Sequence, residues 1–167
     1  MTATVSICVP TYNGGRYLGP CLASALAQTF ADFELVVVDD GSADATPEIV
    51  RHYAGSDARI RVWRNEEKLG LVANWNRCVE LARGEWVKFL FQDDLLEPSC
   101  LDEMLRASRS GVDLVVARRG LLFEDGTPAT IGGKYRSLQR SWRGIPPSTV
   151  EAGKDVGTIS GMGPDSW

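Results

Sequence analysis

Apolar residues in this chain gather in short, nearly unbroken runs separated by amphipathic stretches. Val5–Pro10, Leu35–Val38 and Trp86–Phe91 are the clearest runs. Continuous rather than alternating apolar character predicts strands covered on both faces. Between them lie helical patterns. Arg16 to Gln28 carries Leu18, Leu22, Ala25 and Leu26 at helical spacing. Thr46-Pro47-Glu48 is a helix start with Thr46 as cap, and that helix runs to about Tyr53. Leu71 to Ala82 is helical, with Val72, Trp75, Val79 and Ala82 on one face. Pro98-Ser99 begins a helix that runs to about Arg109. Ile60–Trp63 alternates and predicts an edge strand, and Asp113–Ala117 predicts a further strand. The order βαβαβαβαβ implies an α/β fold, a mostly parallel sheet with helices on both faces. This α/β part is expected to fill residues 1–120.

The pattern changes over 121–167. Leu121-Leu122-Phe123 followed by Glu124-Asp125-Gly126 suggests a hairpin. No acid occurs from Gly126 to Val150, but Lys134, Arg136, Arg140 and Arg143 do. A solvated linker and a basic loop that closes over an anionic ligand both fit that composition.

Two of the apolar runs end in paired acids. Leu35–Val38 leads into Asp39-Asp40-Gly41-Ser42, and Trp86–Phe91 leads through Gln92 into Asp93-Asp94. In one parallel sheet both pairs reach the same carboxyl edge, where ligands bind in open α/β sheets. The loop Thr11–Gly15 leaves the first strand at that edge too. Adjacent carboxylates repel, and a divalent cation with oxygen ligands relieves the repulsion. A solvated turn ahead of a helix produces the same pair of acids, so the pair alone leaves both readings open. Taken together, the edge suits a nucleoside diphosphate. Tyr12 can pack on a base, Asp39 or Asp40 can accept from base or ribose donors, and Asp93 and Asp94 can hold an ion on the phosphates.

Composition narrows the partners. The 167 residues are 44% apolar and 24% charged, ordinary for a globular domain, and the net charge of -4 argues against nucleic acid. No apolar run approaches the ~20 residues of a membrane span, and the start shows no basic, signal-like segment. Cys8, Cys21, Cys78 and Cys100 form no CxxC and read as reduced core residues of a cytoplasmic protein, soluble or peripheral to a membrane. His52 is the only histidine, which argues against a triad or a histidine-rich metal site. Neither GxxxxGK[ST] nor GxGxxG is present, which disfavours a P-loop enzyme and a dinucleotide enzyme. A phosphoacceptor signalling domain would carry its acids after the first strand, where this chain has Pro10-Thr11.

Val9-Pro10-Thr11-Tyr12-Asn13, Val37-Val38-Asp39-Asp40-Gly41-Ser42, Gly70 with Asn76, and Gly84-Glu85 leading to Asp93-Asp94 resemble the family 2 glycosyltransferases of the GT-A fold. The resemblance spans roughly the first 120 residues. It implies a metal-assisted transfer of sugar from a nucleotide-diphospho-sugar donor, as in polysaccharide biosynthesis. It implies that Pro10, Thr11, Tyr12, Asn13, Asp39, Asp40, Asn76 and Asp93 line the nucleotide site, and that Asp93 and Asp94 hold Mn²⁺ or Mg²⁺. The acceptor, whether glycan, lipid-linked or protein, is not readable, and a homodimer stays open. Two positions depart from the family pattern. Phe91 stands where an acid is common, and Trp75 where a positive residue is common. The family's acceptor half, with its carboxylate base, follows the region near Ser160–Gly163. Asp165 is the only acid near the end, so the catalytic base is unassigned. A donor-binding fragment without transfer activity is the alternative.

Overall fold

A computed structural model of the chain describes residues 3–109 and 112–117. The elements are β1 (Val5–Thr11), α1 (Leu18–Leu26), β2 (Phe33–Asp39), α2 (Thr46–Ser56), β3 (Ile60–Arg64), α3 (Leu71–Leu81), β4 (Trp86–Phe89) and α4 (Cys100–Ser108). The strands form one parallel sheet in the order β3-β2-β1-β4. Val5 pairs with Phe33 on one side and with Trp86 on the other. The compact unit that contains this sheet ends at Glu103; the described part of the second unit is the rest of α4 and residues 112–117.

The runs of β1 and β2 behave as their pattern dictates, but Trp86–Phe91 does not: the strand covers only Trp86–Phe89 and lies at an edge of the described sheet, with Val87 exposed and Trp86, Lys88 and Phe89 half-buried. Every residue of β1 and of β2 is buried. Alternation along the strands divides them between two faces. Cys8, Val36 and Val38 meet Cys78 of α3, with Trp63, Leu81, Ala82 and Phe89 packed around them. Ile7, Val9, Leu35 and Val37 point the other way and are fully buried. On that side α2 lies over β2 and β3, and α1 lies beside α2. Leu18, Cys21, Leu22 and Ala25 of α1 are fully buried, as their spacing requires. Burial of one such side chain stabilises by roughly 1.5–3 kcal/mol, several times any difference in helix propensity, so packing on the sheet holds these helices.

Several local expectations are corrected. Thr46 is not the cap of α2 but its first residue. Its hydroxyl accepts the Gly14 N–H at 2.8 Å, while Asp44 Oδ1 accepts the Thr46 N–H at 3.0 Å. The Thr46 hydroxyl, with the Thr46 and Gly15 N–H groups, holds the Asp44 carboxyl below its ordinary range despite the cost of burial. The inner face of α3 is Asn74 and Cys78; Val72 and Val79 are exposed and Trp75 is half-buried. The strand expected over Asp113–Ala117 is not formed, and Leu114 and Val116 are exposed. So short an apolar run has no stability as a strand without a paired neighbour, and none of the described strands pairs with it. The hairpin at Leu121–Gly126, the cations Lys134, Arg136, Arg140 and Arg143, and Asp165 lie outside the described residues.

Candidate functional site

The carboxyl ends of β1, β2 and β4 lead to all the candidate residues except Asn76, which lies on α3. Three loops meet there, and side chains tie them together. Leaving β1, Thr11 Oγ1 donates to Gln92 Oε1 at 2.7 Å and the Tyr12 N–H donates to the same oxygen at 2.9 Å. Gln92 Nε2 returns a bond to the Tyr12 carbonyl at 3.2 Å. Gly14 is needed for this fit, because a Cβ there would stand 2.4 Å from Gln92 Oε1. Asn13 adopts φ +48°, a conformation asparagine tolerates. Its N–H donates to Ser42 Oγ at 2.8 Å, and its Oδ1 accepts the Ala43 N–H at 2.9 Å. Pro10 closes the buried run of β1, opposite Val38.

Asp39 and Asp40 part company. Successive residues at a strand end face opposite sides of the sheet. Asp39 Oδ1 accepts the Ser42 N–H at 3.0 Å and the Ser42 hydroxyl at 2.5 Å. Since Ser42 Oγ also accepts from Asn13, Asp39 steadies the β1 loop at one remove. Its Oδ2 is buried without a hydrogen bond, with Arg64 Nη1 at 3.7 Å. Asp39 and Arg64 both line a cleft of about 460 Å³ beside α2 and β3, walled by Pro47, Val50, Ala54 and Val62. Asp40 turns toward α3. Its Oδ1 accepts Asn65 Nδ2 at 2.8 Å and the Leu69 N–H at 2.7 Å, and its Oδ2 accepts the Gly70 N–H at 2.8 Å. Asp40 is 2% exposed, so its charge is satisfied by these donors rather than by water. The turn they stabilise needs Gly70 at φ +85°.

Asp93 is exposed and Asp94 half-buried, past the end of β4. Among the described residues no hydrogen bond or ion pair engages either carboxylate. Their charge is felt beneath them by Cys21, whose thiol donates to the Phe91 carbonyl at 3.3 Å. Burial, then Asp94, then Asp93 push that thiol up to about 12. Among the described residues no group of three or more His, Cys, Asp or Glu side chains comes together as a metal cage. Asn76 is exposed on α3, whereas Asn74 points inward, donating to the Val38 carbonyl at 3.1 Å and accepting from Asn65 at 2.9 Å.

Residues 6–159 match the family model described as Glycosyl transferase family 2. The chain belongs to this family. EpsH of Bacillus subtilis is 41% identical over 124 residues, which cover 74% of this chain and 36% of EpsH. The chondroitin synthase of Escherichia coli is 40% identical over 103 residues, which cover 59% of this chain and 15% of that protein. Among solved structures, S. aureus TarS in complex with UDP superposes with a TM-score of 0.67 at 30% identity, covering 74% of this chain and 38% of that one. Mannosyltransferase PcManGT from Pyrobaculum calidifontis, in complex with GDP-Man and Mn²⁺, gives a TM-score of 0.58 at 28% identity, covering 70% of this chain and 34% of that one. The chain thus spans little more than a third of the length of EpsH, and the sheet is that of the GT-A fold.

Against the pattern of family 2, the two departures turn out to be one feature. Trp75 and Phe91 stack on each other, with centroids 4.8 Å apart and planes at 28°, and Phe89 lies next to both. At the two positions where the resemblance implies opposite charges, this chain has an aromatic pair. Lys68, Gln92, Asn65 and Asn74 escaped the sequence reading. They lie in or beside loops whose shape is set by contacts distant in sequence, and only the Gly14-Gly15 pair hinted at a close approach.

Proposed function

We propose that this chain is the nucleotide-sugar-binding part of a glycosyltransferase that moves a sugar from a nucleotide-diphosphate donor to an acceptor of unassigned class. The observation that carries this is the meeting, at one sheet edge of a family 2 chain, of an exposed tyrosine and two carboxylates that no described residue pairs. Tyr12, 40% exposed and fixed through its backbone by Gln92, is the surface for the base. Thr11, Asn13 and Pro10 shape the loop that presents it. Asp40, with the 65–70 turn it holds, forms the far wall. Asp39 contributes by positioning Ser42 and, through it, Asn13. Asn76 is kept as a candidate contact on the exposed side of α3. The UDP of the TarS complex and the GDP-Man of the PcManGT complex support a nucleotide-diphosphate donor.

Asp93 and Asp94 would hold Mn²⁺ or Mg²⁺. Two carboxylates that no described residue pairs, already raising the buried Cys21 thiol of α1, fit an ion that draws its other ligands from phosphate and water. When bound, the ion would neutralise the charge that builds on the departing diphosphate. The protein's own part is to aim the carboxylates, through the Thr11–Gln92 bond, and to hold the base on Tyr12. Four free cysteines, three of them buried, support a reducing, cytoplasmic setting. Among the described residues no helix is long and apolar enough to cross a membrane.

Calorimetry with UDP and GDP, with and without Mn²⁺, tests the proposal. Diphosphate affinity should rise on adding Mn²⁺, and Asp93→Asn/Asp94→Asn should abolish that rise, since the two affinities are coupled reciprocally. Absence of diphosphate binding in every condition would refute the site. Binding without turnover on any donor would favour the donor-binding fragment over the transferase.

A further inference from the structure

One cation stands on the Tyr12 ring. Lys68 Nζ lies 3.8 Å from the ring centroid. Lys68 is exposed, and among the described residues no hydrogen bond or ion pair holds its ammonium. The turn that carries it is fixed at both ends and free in the middle. At one end the Asn65 N–H donates to the Asp39 carbonyl at 2.9 Å and Asn65 Nδ2 to Asp40. At the other, the Leu69 and Gly70 N–H groups donate to Asp40. Glu66, Glu67 and Lys68, all exposed, form the tip, and Lys68 is its only cation. The tip is therefore moored by the ammonium–ring contact, which is weak at an exposed site.

An ammonium and a nucleobase cannot share one face of a ring. We propose that Lys68 has two stations: on the Tyr12 ring when no nucleotide is bound, and on the diphosphate when a base takes its place on the ring. This rests on the nucleotide-diphosphate reading above and adds the residue that couples its two ends. The base displaces the lysine, and the freed ammonium meets the one part of the ligand that needs a cation. Glu66 and Glu67, which precede Lys68 on the tip, would repel a diphosphate, so the lysine supplies the tip's only attraction for it. Asp40 keeps the turn in place through the exchange, so the movement is confined to the tip. The consequence is discrimination by phosphate. A nucleoside pays for displacing Lys68 without receiving it back; a nucleoside diphosphate recovers it.

The test compares uridine with UDP, and guanosine with GDP, by calorimetry in the presence of Mn²⁺, on the full chain and on Lys68→Met and Lys68→Arg. Lys68→Met should bind the nucleoside roughly threefold more tightly, because the ring is uncovered. The same variant should bind the diphosphate about tenfold more weakly, because the cation is gone. Lys68→Arg, which keeps the charge and the ring contact, should follow the parent in both arms. If Lys68→Met moves both ligands by the same factor, moves only one of them, or moves neither, the two-station assignment is wrong while nucleotide binding by the parent stands. If the parent binds neither UDP nor GDP, the nucleotide reading itself fails and this inference falls with it. Lys68 is exposed and makes no buried contact, so a folding defect in the variants is not expected, and their urea midpoints should match the parent's.

Discussion

Removing the Asp40 carboxylate should loosen one wall of the site more than it disturbs the core. Asp40→Ala deletes three charge-assisted hydrogen bonds, from Asn65 Nδ2, the Leu69 N–H and the Gly70 N–H. At the lower end for bonds to a charged group, about 1.5 kcal/mol each, the gross loss is about 4.5 kcal/mol. Two effects offset part of it. The donors lie near the surface, with Leu69 49% exposed, so freed N–H groups regain water. The cost of keeping a charge in a buried position also disappears. The expected net loss is about 2–3 kcal/mol. Asp40→Asn keeps one acceptor oxygen but turns an NH₂ toward the remaining donors, so it should recover at most about half of that. Urea unfolding followed by tryptophan fluorescence measures the global loss. Amide exchange at Leu69 and Gly70 measures the local one, which should accelerate most in Asp40→Ala. A variant within about 0.5 kcal/mol of the parent, with unchanged exchange at both amides, would show that Asp40 does not anchor the turn.

Glycine substitutions should differ sharply by position. At Gly84 a Cβ would stand 2.5 Å from the Ser6 nitrogen and 2.7 Å from the Val5 carbonyl carbon, backbone atoms of the central strand. Gly84→Ala should therefore cost roughly 1–3 kcal/mol, whereas Gly55→Ala, with nothing within 4 Å in α2, should stabilise by about 0.4–1 kcal/mol; equal urea midpoints would overturn the contrast. Glu34 gives an acid-side prediction. Burial pushes its carboxyl up, but the Ser6 hydroxyl, the Arg61 guanidinium and the Arg83 N–H more than offset this and hold it below the ordinary value of 4.5. Its contribution is thus present above that value and lost as pH falls through the folded-state one. The unfolding free energy of the parent should fall more steeply toward acid than that of Glu34→Gln, and parallel slopes would exclude the mechanism.

The middle of the sheet was legible because β1 and β2 are buried on both faces and leave an unambiguous apolar signature, whereas Trp86–Phe91 carried the same signature on an edge strand that is only half-buried. The same one-dimensional signal failed on α3. Val72 and Val79 suggested a packed face, yet the helix buries Asn74, whose amide satisfies the Val38 carbonyl and the Asn65 side chain. A buried asparagine with partners on two other elements carries no periodic mark. The divergence of Asp39 and Asp40 was implicit in the two-residue period of a strand, but the reading that either one accepts from base or ribose donors did not use it. Asp113–Ala117 illustrates the opposite error: four apolar residues specify nothing without a neighbour to pair with. The stack of Trp75 on Phe91 was not legible either, because one lies on α3 and the other past the end of β4 and they meet only in the folded chain.

The strand order β3-β2-β1-β4 also sets the sequence of events by which this edge is assembled. β1 with β2, and β2 with β3, are each joined by a single helix, so their pairing closes short loops. β4 must instead find β1 across both of those units and α3, a longer closure with a larger entropic cost and a slower rate. On a chain made from its amino terminus, β1, β2 and β3 can pair before Trp86 has been added. Asp93 and Asp94 then arrive after them, carried by the strand whose docking completes the described sheet. Until β4 docks, Thr11 and Tyr12 lack the Gln92 side chain that fixes them, so the loop of the first strand and the acids of the last acquire their geometry in the same step.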